Sequence, residues 1–272
     1  ATVATVGKMS IPELRKRNYP EKILLGSLAG SGTLGLLIPP SIILIIYGVA
    51  VQESIAKLFI AGIIPGIMIA LIFMSYVIIW SLINKKEMPK ILEEYSFLEK
   101  IKRSKQLLPV ILLISAVIGS IYTGVATATE AASLGVVGAL ILSYFQKSLT
   151  LETFKSSLLG ATKTSCMIAF ILAGSTFLSL AMGFTGLPRN LAIWIQGMEL
   201  SPYVLILVLM IFYIILGMFL DGISAVVLTM AIIEPMIRQA GFDMIWFGIF
   251  LVIVVEMAQI TPPVGFNLFV LQ

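Results

Sequence analysis

Long apolar stretches separated by short polar ones follow one another along the whole chain. A helix that crosses a bilayer needs about 20 apolar residues, because the hydrocarbon core is roughly 30 Å thick. The pattern therefore predicts an all-α integral membrane protein. The candidate membrane segments are 23–50, 58–83, 107–124, 129–145, 162–185, 201–219, 224–239 and 244–272.

Two of these segments are interrupted by a pair of prolines. Pro39-Pro40 divides the first segment, and Pro262-Pro263 divides the last. Proline lacks an amide donor and clashes with the carbonyl one turn earlier, so both helices are expected to break there. Lipid cannot satisfy freed carbonyls, so such backbone must be buried in protein or line a wet cavity.

Composition excludes most soluble and catalytic classes. The chain is 59% hydrophobic and only 12% charged, with a mean hydropathy of +1.06. It has no histidine and a single cysteine, Cys166, which excludes internal disulfides, thiolate clusters and histidine-based triads or metal sites. An intramembrane enzyme would need a nucleophile or a metal set, and the sequence offers neither. An ATP-driven pump is not favoured, because the sequence has no G-x-x-x-x-G-K-[ST] phosphate loop.

Basic residues lie mainly on one side of the predicted segments. If the polar loop 84–106 is cytoplasmic and each segment crosses or re-enters once, loops 8–22 and 146–161 lie on the same side. Cytoplasmic loops are rich in lysine and arginine, so this orientation is expected. The basic residues left on the opposite side are Lys57, Arg189 and Arg238.

The two broken segments are related by an internal repeat. Placing residue n beside residue n + 223 aligns Pro12 with Pro235, Pro39 with Pro262 and Pro40 with Pro263. The loop after Pro12 is basic and predicted to be cytoplasmic, whereas the matching loop after Pro235 is predicted to be external. Inverted repeats with broken helices that meet near mid-membrane are typical of secondary transporters.

Oxygen atoms near the breaks suit a hard cation. Freed carbonyls, with the hydroxyls of Thr33, Ser41 and Thr261, offer an all-oxygen cage, and half-helix N-termini can face an anion. The alternative is a kink that packing tolerates.

Asp221, in the apolar run MFLDGISAVV, predicts a re-entrant hairpin. Asp-Gly favours a turn. A carboxylate at membrane depth is costly, so it is usually buried, paired and functional. We expect the hairpin tip at 220–224 to approach the second break. Asp221 then contributes to an ion site, caps the returning helix, or does both. A similar cap is the favoured role of Glu130.

Several motifs resemble the large membrane subunit of TRAP transporters, the tripartite ATP-independent periplasmic transporters. The resemblance covers essentially the whole chain. The motifs are GTLGLLIPPSIILIIYG (32–48), LFIAGIIPGI (58–67), ATATEAAS (126–133), GMFLDGISAVV (217–227) and ITPPVGFNLFV (260–270). We expect the chain to be an internal piece of that longer subunit.

The resemblance implies a sodium-driven importer of organic acids with an elevator motion, in the ion transporter superfamily. Its implied partners are a small membrane subunit, separate or fused, and a periplasmic substrate-binding protein; nucleic acid is not one. It implies a multi-pass protein of the bacterial inner membrane, with sodium as coupling ion and no cofactor.

The resemblance also implies the domain organisation and the site. Residues 1–50 and 201–272 would form two halves of a transport domain. Residues 51–200 would form a scaffold with an interfacial arm at 187–199. The substrate-facing residues would be Ser41 and Asn267. The implied sodium-site residues are Gly32, Thr33, Gly35, Pro39, Leu220, Asp221, Gly222, Ser224, Thr261, Pro262 and Gly265.

Two other functions remain open at this point. A single-component sodium/anion symporter of related architecture would need no binding protein. A channel, which can also contain broken helices, would conduct ions without saturable substrate exchange.

Overall fold

The structure is a computed structural model that describes residues 2–89, 99, 104–198, 201–263, 265, 267 and 271. Apart from one 3₁₀ turn at Lys105–Leu107, the regular structure of these residues consists of α-helices. They are α1 (Thr2–Lys16), α2 (Glu21–Leu37), α3 (Ile42–Ala50), α4 (Ile55–Ile83), α5 (Leu108–Tyr122), α6 (Ala128–Phe145), α7 (Leu151–Thr185), α8 (Leu187–Gln196), α9 (Pro202–Gly217), α10 (Gly222–Gln239) and α11 (Met244–Ile260).

Several of these helices are suited to a bilayer. Within the described residues, α4, α6, α7 and α10 are long and apolar enough to cross it, and the bent pair α2–α3 is a fifth candidate. Large apolar side chains such as Ile64, Leu112 and Phe170 are exposed on the outer surface. A soluble protein would bury them, whereas lipid solvates them at no cost. The prediction of an all-α membrane protein is confirmed.

Polar caps set where many of the helices begin. Ser54, Ser201 and Asp243 each accept a hydrogen bond from a backbone amide of the first turn of α4, α9 and α11. At α6 the Thr127 hydroxyl accepts from the Glu130 amide, and Glu130 Oε2 accepts from the Thr127 amide at 2.8 Å. This capping box confirms the structural role expected for Glu130.

Two predicted loops are shorter than the sequence suggested. Helix α1 continues to Lys16, so much of 8–22 is helical, and α7 begins at Leu151, inside the predicted loop 146–161. Hydropathy marks only the apolar part of a helix. A polar extension such as LETFKSSLLG satisfies its backbone in the same way and continues the helix.

The chain divides into two compact units. One contains residues 1–89 and 171–272, and so combines both ends of the chain; the other contains 90–170. In the second unit, α5 packs on α6 where Gly138 lets the Leu113 side chain approach its backbone. This division does not follow the transport–scaffold boundaries expected from the resemblance, which remain a prediction.

The helix bounds match the internal repeat. Helices α2 and α11 are both 17 residues long, and their first and last residues differ by 223, the offset that aligns the prolines. Helices α1 and α10 end at Lys16 and Gln239, which also differ by 223. The backbone therefore repeats one arrangement: a short helix, a tight connection, and a longer helix that stops before Pro-Pro.

The two repeats exchange contacts. In the first repeat, α1 packs at Gly7 against Leu271, which follows the break of the second repeat. In the second repeat, α10 packs at Gly222 against Ile43, which follows the break of the first repeat. Each short helix thus contacts the segment beyond the other repeat's break, a reciprocity that a two-fold relation between the repeats requires.

Helix α11 lies at the centre of the first unit. Glycines on its neighbours allow close packing: Gly217 of α9 meets Ala258, and Gly62 of α4 lies near Ile249. Within α11, Gly248 accommodates the ring of Tyr47, whose hydroxyl donates to the Met244 carbonyl at 2.6 Å. Small residues let backbones approach closely where lipid provides no hydrophobic drive between helices.

We expect Gly62→Ala to destabilise the protein by about 1–3 kcal/mol, the usual cost of overpacking. A Cβ on Gly62 would lie 2.9 Å from the Leu37 carbonyl oxygen, which belongs to the backbone and cannot move aside. The control is Gly26→Ala, where no atom lies within 4 Å of the added Cβ. Melting of the purified proteins in detergent checks this, and equal melting temperatures for the two variants would contradict it.

Candidate functional site

The first break replaces lost helical hydrogen bonds with side-chain bonds. Helix α2 ends when the Ile38 amide donates to the Leu34 carbonyl at 2.8 Å, and α3 restarts at Ile42 with its axis bent by 41°. Between them the Ser41 hydroxyl donates to the Leu36 carbonyl and accepts from the Leu44 amide. The fully buried Ser41 therefore satisfies the backbone on both sides of the break. Its contact with substrate stays a prediction.

Gly32 and Thr33 lie where α2 packs on α1. The backbone of Val3 would be 3.2 Å from a Cβ on Gly32, so glycine is needed for this close approach. Thr33 is buried, and its hydroxyl donates to the Gly30 carbonyl at 2.7 Å. Gly35 is half-buried and Pro39 is buried within the break itself.

Asp221 caps α10. Its Oδ2 atom accepts from the Ile223 and Ser224 amides at 3.1 and 3.2 Å, and its Oδ1 accepts from the Ser224 hydroxyl at 2.5 Å. The capping role that the sequence left open is confirmed. Leu220 completes the turn from α9, its amide donating to the Leu216 carbonyl at 3.0 Å.

The second break resembles the first in its use of a hydroxyl. At the end of α11, the Thr261 hydroxyl donates to the Met257 carbonyl at 2.6 Å, and Pro262 is exposed. Gly265 is buried with a φ of 55°, a left-handed conformation that favours glycine. Both Pro-Pro peptide bonds, Pro39-Pro40 and Pro262-Pro263, are cis.

Two buried polar atoms near the second break have no hydrogen-bond partner among the described residues. They are Nδ2 of Asn267, which is 6% exposed, and Oε1 of Glu256, which is 4% exposed. Unpaired polar atoms inside a protein are costly and are often found where a ligand or ion binds. Asn267 is one of the two substrate-facing residues that the resemblance implied.

Three chain segments meet at Gly222. A Cβ placed there would lie 2.7 Å from Nε2 of Gln259, 2.8 Å from Val255 and 3.0 Å from Ile43. The hairpin turn thus lies against the last turns of α11 and the first turn of α3, as the sequence predicted for the turn and the second break. Gln259, buried at this junction, was not predicted, although its polar amide two residues before Thr261 was a usable signal.

Electrostatically, this junction combines helix ends of opposite sign. The N-termini of α3 and α10 carry partial positive charge, and the C-terminus of α11 carries partial negative charge. The described residues contain no cluster of three or more Asp, Glu or Cys side chains that could hold a metal ion. A cation there would depend on carbonyl, hydroxyl and amide oxygens together with the single carboxylate of Asp221.

Asp221→Ala is expected to destabilise the protein by about 1 kcal/mol, because the amides of α10 lose their acceptor. Asp221→Asn should cost much less, since asparagine caps equally well. Asp243→Ala removes the analogous cap of α11 and serves as the control. Melting in detergent without sodium measures all three, and equal losses for the Ala and Asn variants at 221 would contradict the capping role.

The chain resembles known proteins along its entire length. A family model described as the tripartite ATP-independent periplasmic transporter, DctM component, matches residues 1–272. The C4-dicarboxylate TRAP transporter large permease protein DctM of Pseudomonas aeruginosa is 34% identical over 271 residues, which cover 99% of this chain and 63% of that protein.

Two relatives have names with other substrates. The sialic acid TRAP transporter large permease protein SiaM of Vibrio cholerae is 31% identical, covering 100% of this chain and 63% of its own length. The 2,3-diketo-L-gulonate TRAP transporter large permease protein YiaN of Escherichia coli is 31% identical, covering 97% of this chain and 62% of its own. The chain therefore spans less than two thirds of the length of these relatives.

Proposed function

Because the chain belongs to the DctM component family of tripartite ATP-independent periplasmic transporters, we propose that it forms the core of a sodium-coupled importer of organic acids. The proposed substrates are carboxylates, such as C4-dicarboxylates or sialic-acid-like sugar acids, delivered by a periplasmic binding protein. A small membrane subunit would complete the permease in the inner membrane. The family is one of transporter components, and the proposal includes sodium as the coupling ion and no cofactor.

The observation that carries this proposal is the meeting of three helix ends at Gly222. The N-termini of α3 and α10 favour an anion such as a carboxylate, and the C-terminus of α11 favours a cation. In the proposed transporter, the anion and the cation would bind at neighbouring sites and so be coupled. Broken helices place such ends inside the protein instead of at the membrane surface.

Carboxylate binding by helix ends agrees with the distribution of basic side chains. Every lysine and arginine whose side chain the structure describes is exposed, so within that part of the chain none is buried to pair with a substrate anion. Nδ2 of Asn267 has no acceptor among the described residues, and it could donate a hydrogen bond to a carboxylate oxygen. The three relatives are named for substrates that all carry a carboxylate.

Hydrogen bonds between the repeats support their movement as one body, as an elevator mechanism needs. The Tyr47 hydroxyl donates to the Met244 carbonyl, and Arg238 donates to the Val51 carbonyl at 3.1 Å. Arg238 also pairs with Glu234 at 2.9 Å and approaches Glu53 at 3.8 Å. These contacts join the end of α3 to the connection between α10 and α11.

Sodium should raise the melting temperature of the full-length protein, relative to potassium or choline chloride at equal ionic strength. A ligand that binds only the folded state stabilises it by about 2.7 kcal/mol when its concentration is 100 times its Kd. Asp221→Asn should keep the cap but weaken this sodium-specific shift, because it removes the negative charge. Asp243→Asn, at a cap on the opposite end of α11, should leave the shift unchanged. An unaltered sodium titration of Asp221→Asn would contradict the site.

Thr261→Ala combined with Asn267→Ala should also weaken sodium-dependent uptake while the protein remains folded. The first change removes a hydroxyl at the second break, and the second removes the unpaired amide. Uptake of labelled carboxylates into proteoliposomes measures this, with and without the binding protein. Wild-type uptake that is sodium-driven but needs no binding protein would favour the single-component symporter instead.

A further inference from the structure

Glu256 is a buried carboxylate that the proposed site does not use. It lies in the last third of α11, five residues before Thr261, which is about 7.5 Å along a helix axis. Its side chain is 4% exposed, and Oε1 has no hydrogen-bond partner among the described residues. A group of this kind is rare in a packed interior, because desolvation disfavours its charged form.

Helical periodicity shows what Glu256 faces. Val255 and Gln259 lie on the side of α11 that meets α10 and α3, whereas Ala258 meets α9. Glu256 shares a stripe with Ile249, seven residues earlier, and Ile260, four residues later. Ile249 lies near Gly62 of α4, and Ile260 packs against the cluster of Val3, Ala29 and Leu271. Glu256 therefore belongs to the apolar packing of α11 against α2 and α4.

No described charged group neutralises Glu256. The charged side chains of α1 and α2 and Lys57 of α4 are exposed. On α10, Asp221 caps its own helix, and Arg238 pairs with Glu234. The buried tyrosines of α3 and α9 also bond elsewhere: Tyr47 donates to the Met244 carbonyl, and the Tyr213 hydroxyl bonds to Thr229.

Two species could compensate a buried carboxylate without a partner side chain. A sodium ion needs several oxygen ligands. Of the residues three or four positions from Glu256 on α11, only Gln259 carries a side-chain oxygen, and the others are aliphatic. A proton needs no further ligand and removes the charge altogether. The surroundings of Glu256 therefore favour a proton over a metal ion.

We propose that Glu256 is a proton-binding site and that the cation bound at the second break displaces its proton to water. The displacement rests on the proposed sodium site, because a positive charge nearby favours the ionised carboxylate. The carboxyl O–H bond breaks, the proton passes to water, and the carboxylate remains to balance the cation. Coupling would then exchange a proton for sodium at each cycle.

The first test is the pH dependence of melting for the full-length protein in choline chloride, between about pH 5 and pH 9. At pH values above the range in which a carboxyl group ordinarily titrates, the unfolded state has released this proton, whereas the proposal has the folded state keep it. The free energy of unfolding should therefore fall as pH rises. Glu256→Gln should remove this part of the fall. Glu130→Gln is the control, since glutamine is accepted in a capping box and Glu130 is exposed. Parallel curves for wild type and Glu256→Gln would overturn the proposal.

A second measurement does not depend on the folding of a variant. The infrared spectrum of the wild-type protein at neutral pH should contain the carbonyl stretch of a protonated carboxyl group, shifted in heavy water. The Glu130→Gln protein should retain this band. Its absence from the wild-type protein would overturn proton binding at Glu256.

The displacement step is tested with sodium chloride as the probe, in weakly buffered detergent containing a pH indicator. Sodium should release up to about one proton per transporter from wild type and Glu130→Gln, but none from Glu256→Gln. Potassium chloride should release none. If sodium shifts the melting temperature but releases no proton, the exchange is wrong while sodium binding stands. If sodium has no effect on melting, the proposed sodium coupling itself fails, and the infrared band still decides proton binding.

Discussion

The need to satisfy every backbone amide and carbonyl without water governs this fold. A continuous helix meets that need by itself, so a helix that stops inside apolar surroundings needs replacement partners. At the first break the Ser41 hydroxyl supplies them on both sides, and at the second the Thr261 hydroxyl bonds back to Met257. At the hairpin turn Asp221 satisfies two amides of α10. The polar residues at these points therefore have a structural role, which is to satisfy the backbone, whatever they bind.

Stopping helices inside the protein has a chemical consequence. Each helix end carries a partial charge, and burial preserves its effect because water does not screen it. The meeting of α3, α10 and α11 at Gly222 creates attraction for both an anion and a cation without any buried lysine or arginine in the described residues. In the proposed transporter, these helix ends would hold the ions without a full opposing charge. A full charge at that depth would need permanent compensation.

The exchange of contacts between the repeats makes the two breaks interdependent. Helix α10 supports the segment after the first break, and α1 supports the segment after the second. Helix α11 packs against α2 and α3 of the first repeat and against α10 of the second, so it contacts both repeats. Glycines at 62, 217, 222 and 248 permit this packing, since a side chain at any of them would displace a neighbour. Glu256 lies within the same packing, five residues before Thr261.

The sequence alone determined the all-α membrane class, the family resemblance, both Pro-Pro breaks and the offset of 223 that the helix bounds reproduce. These are local properties, since hydropathy and proline chemistry act within a few residues along the chain. It also predicted the cap by Glu130 and left two roles open for Asp221. It misjudged the extents of α1 and α7, because hydropathy does not detect a polar helical extension. Only the tertiary structure brought Ile43 and Gln259 to Gly222. It also left Oε1 of Glu256 without a hydrogen-bond partner among the described residues. Those facts depend on which faces of distant helices pack together, and no short-range pattern specifies that.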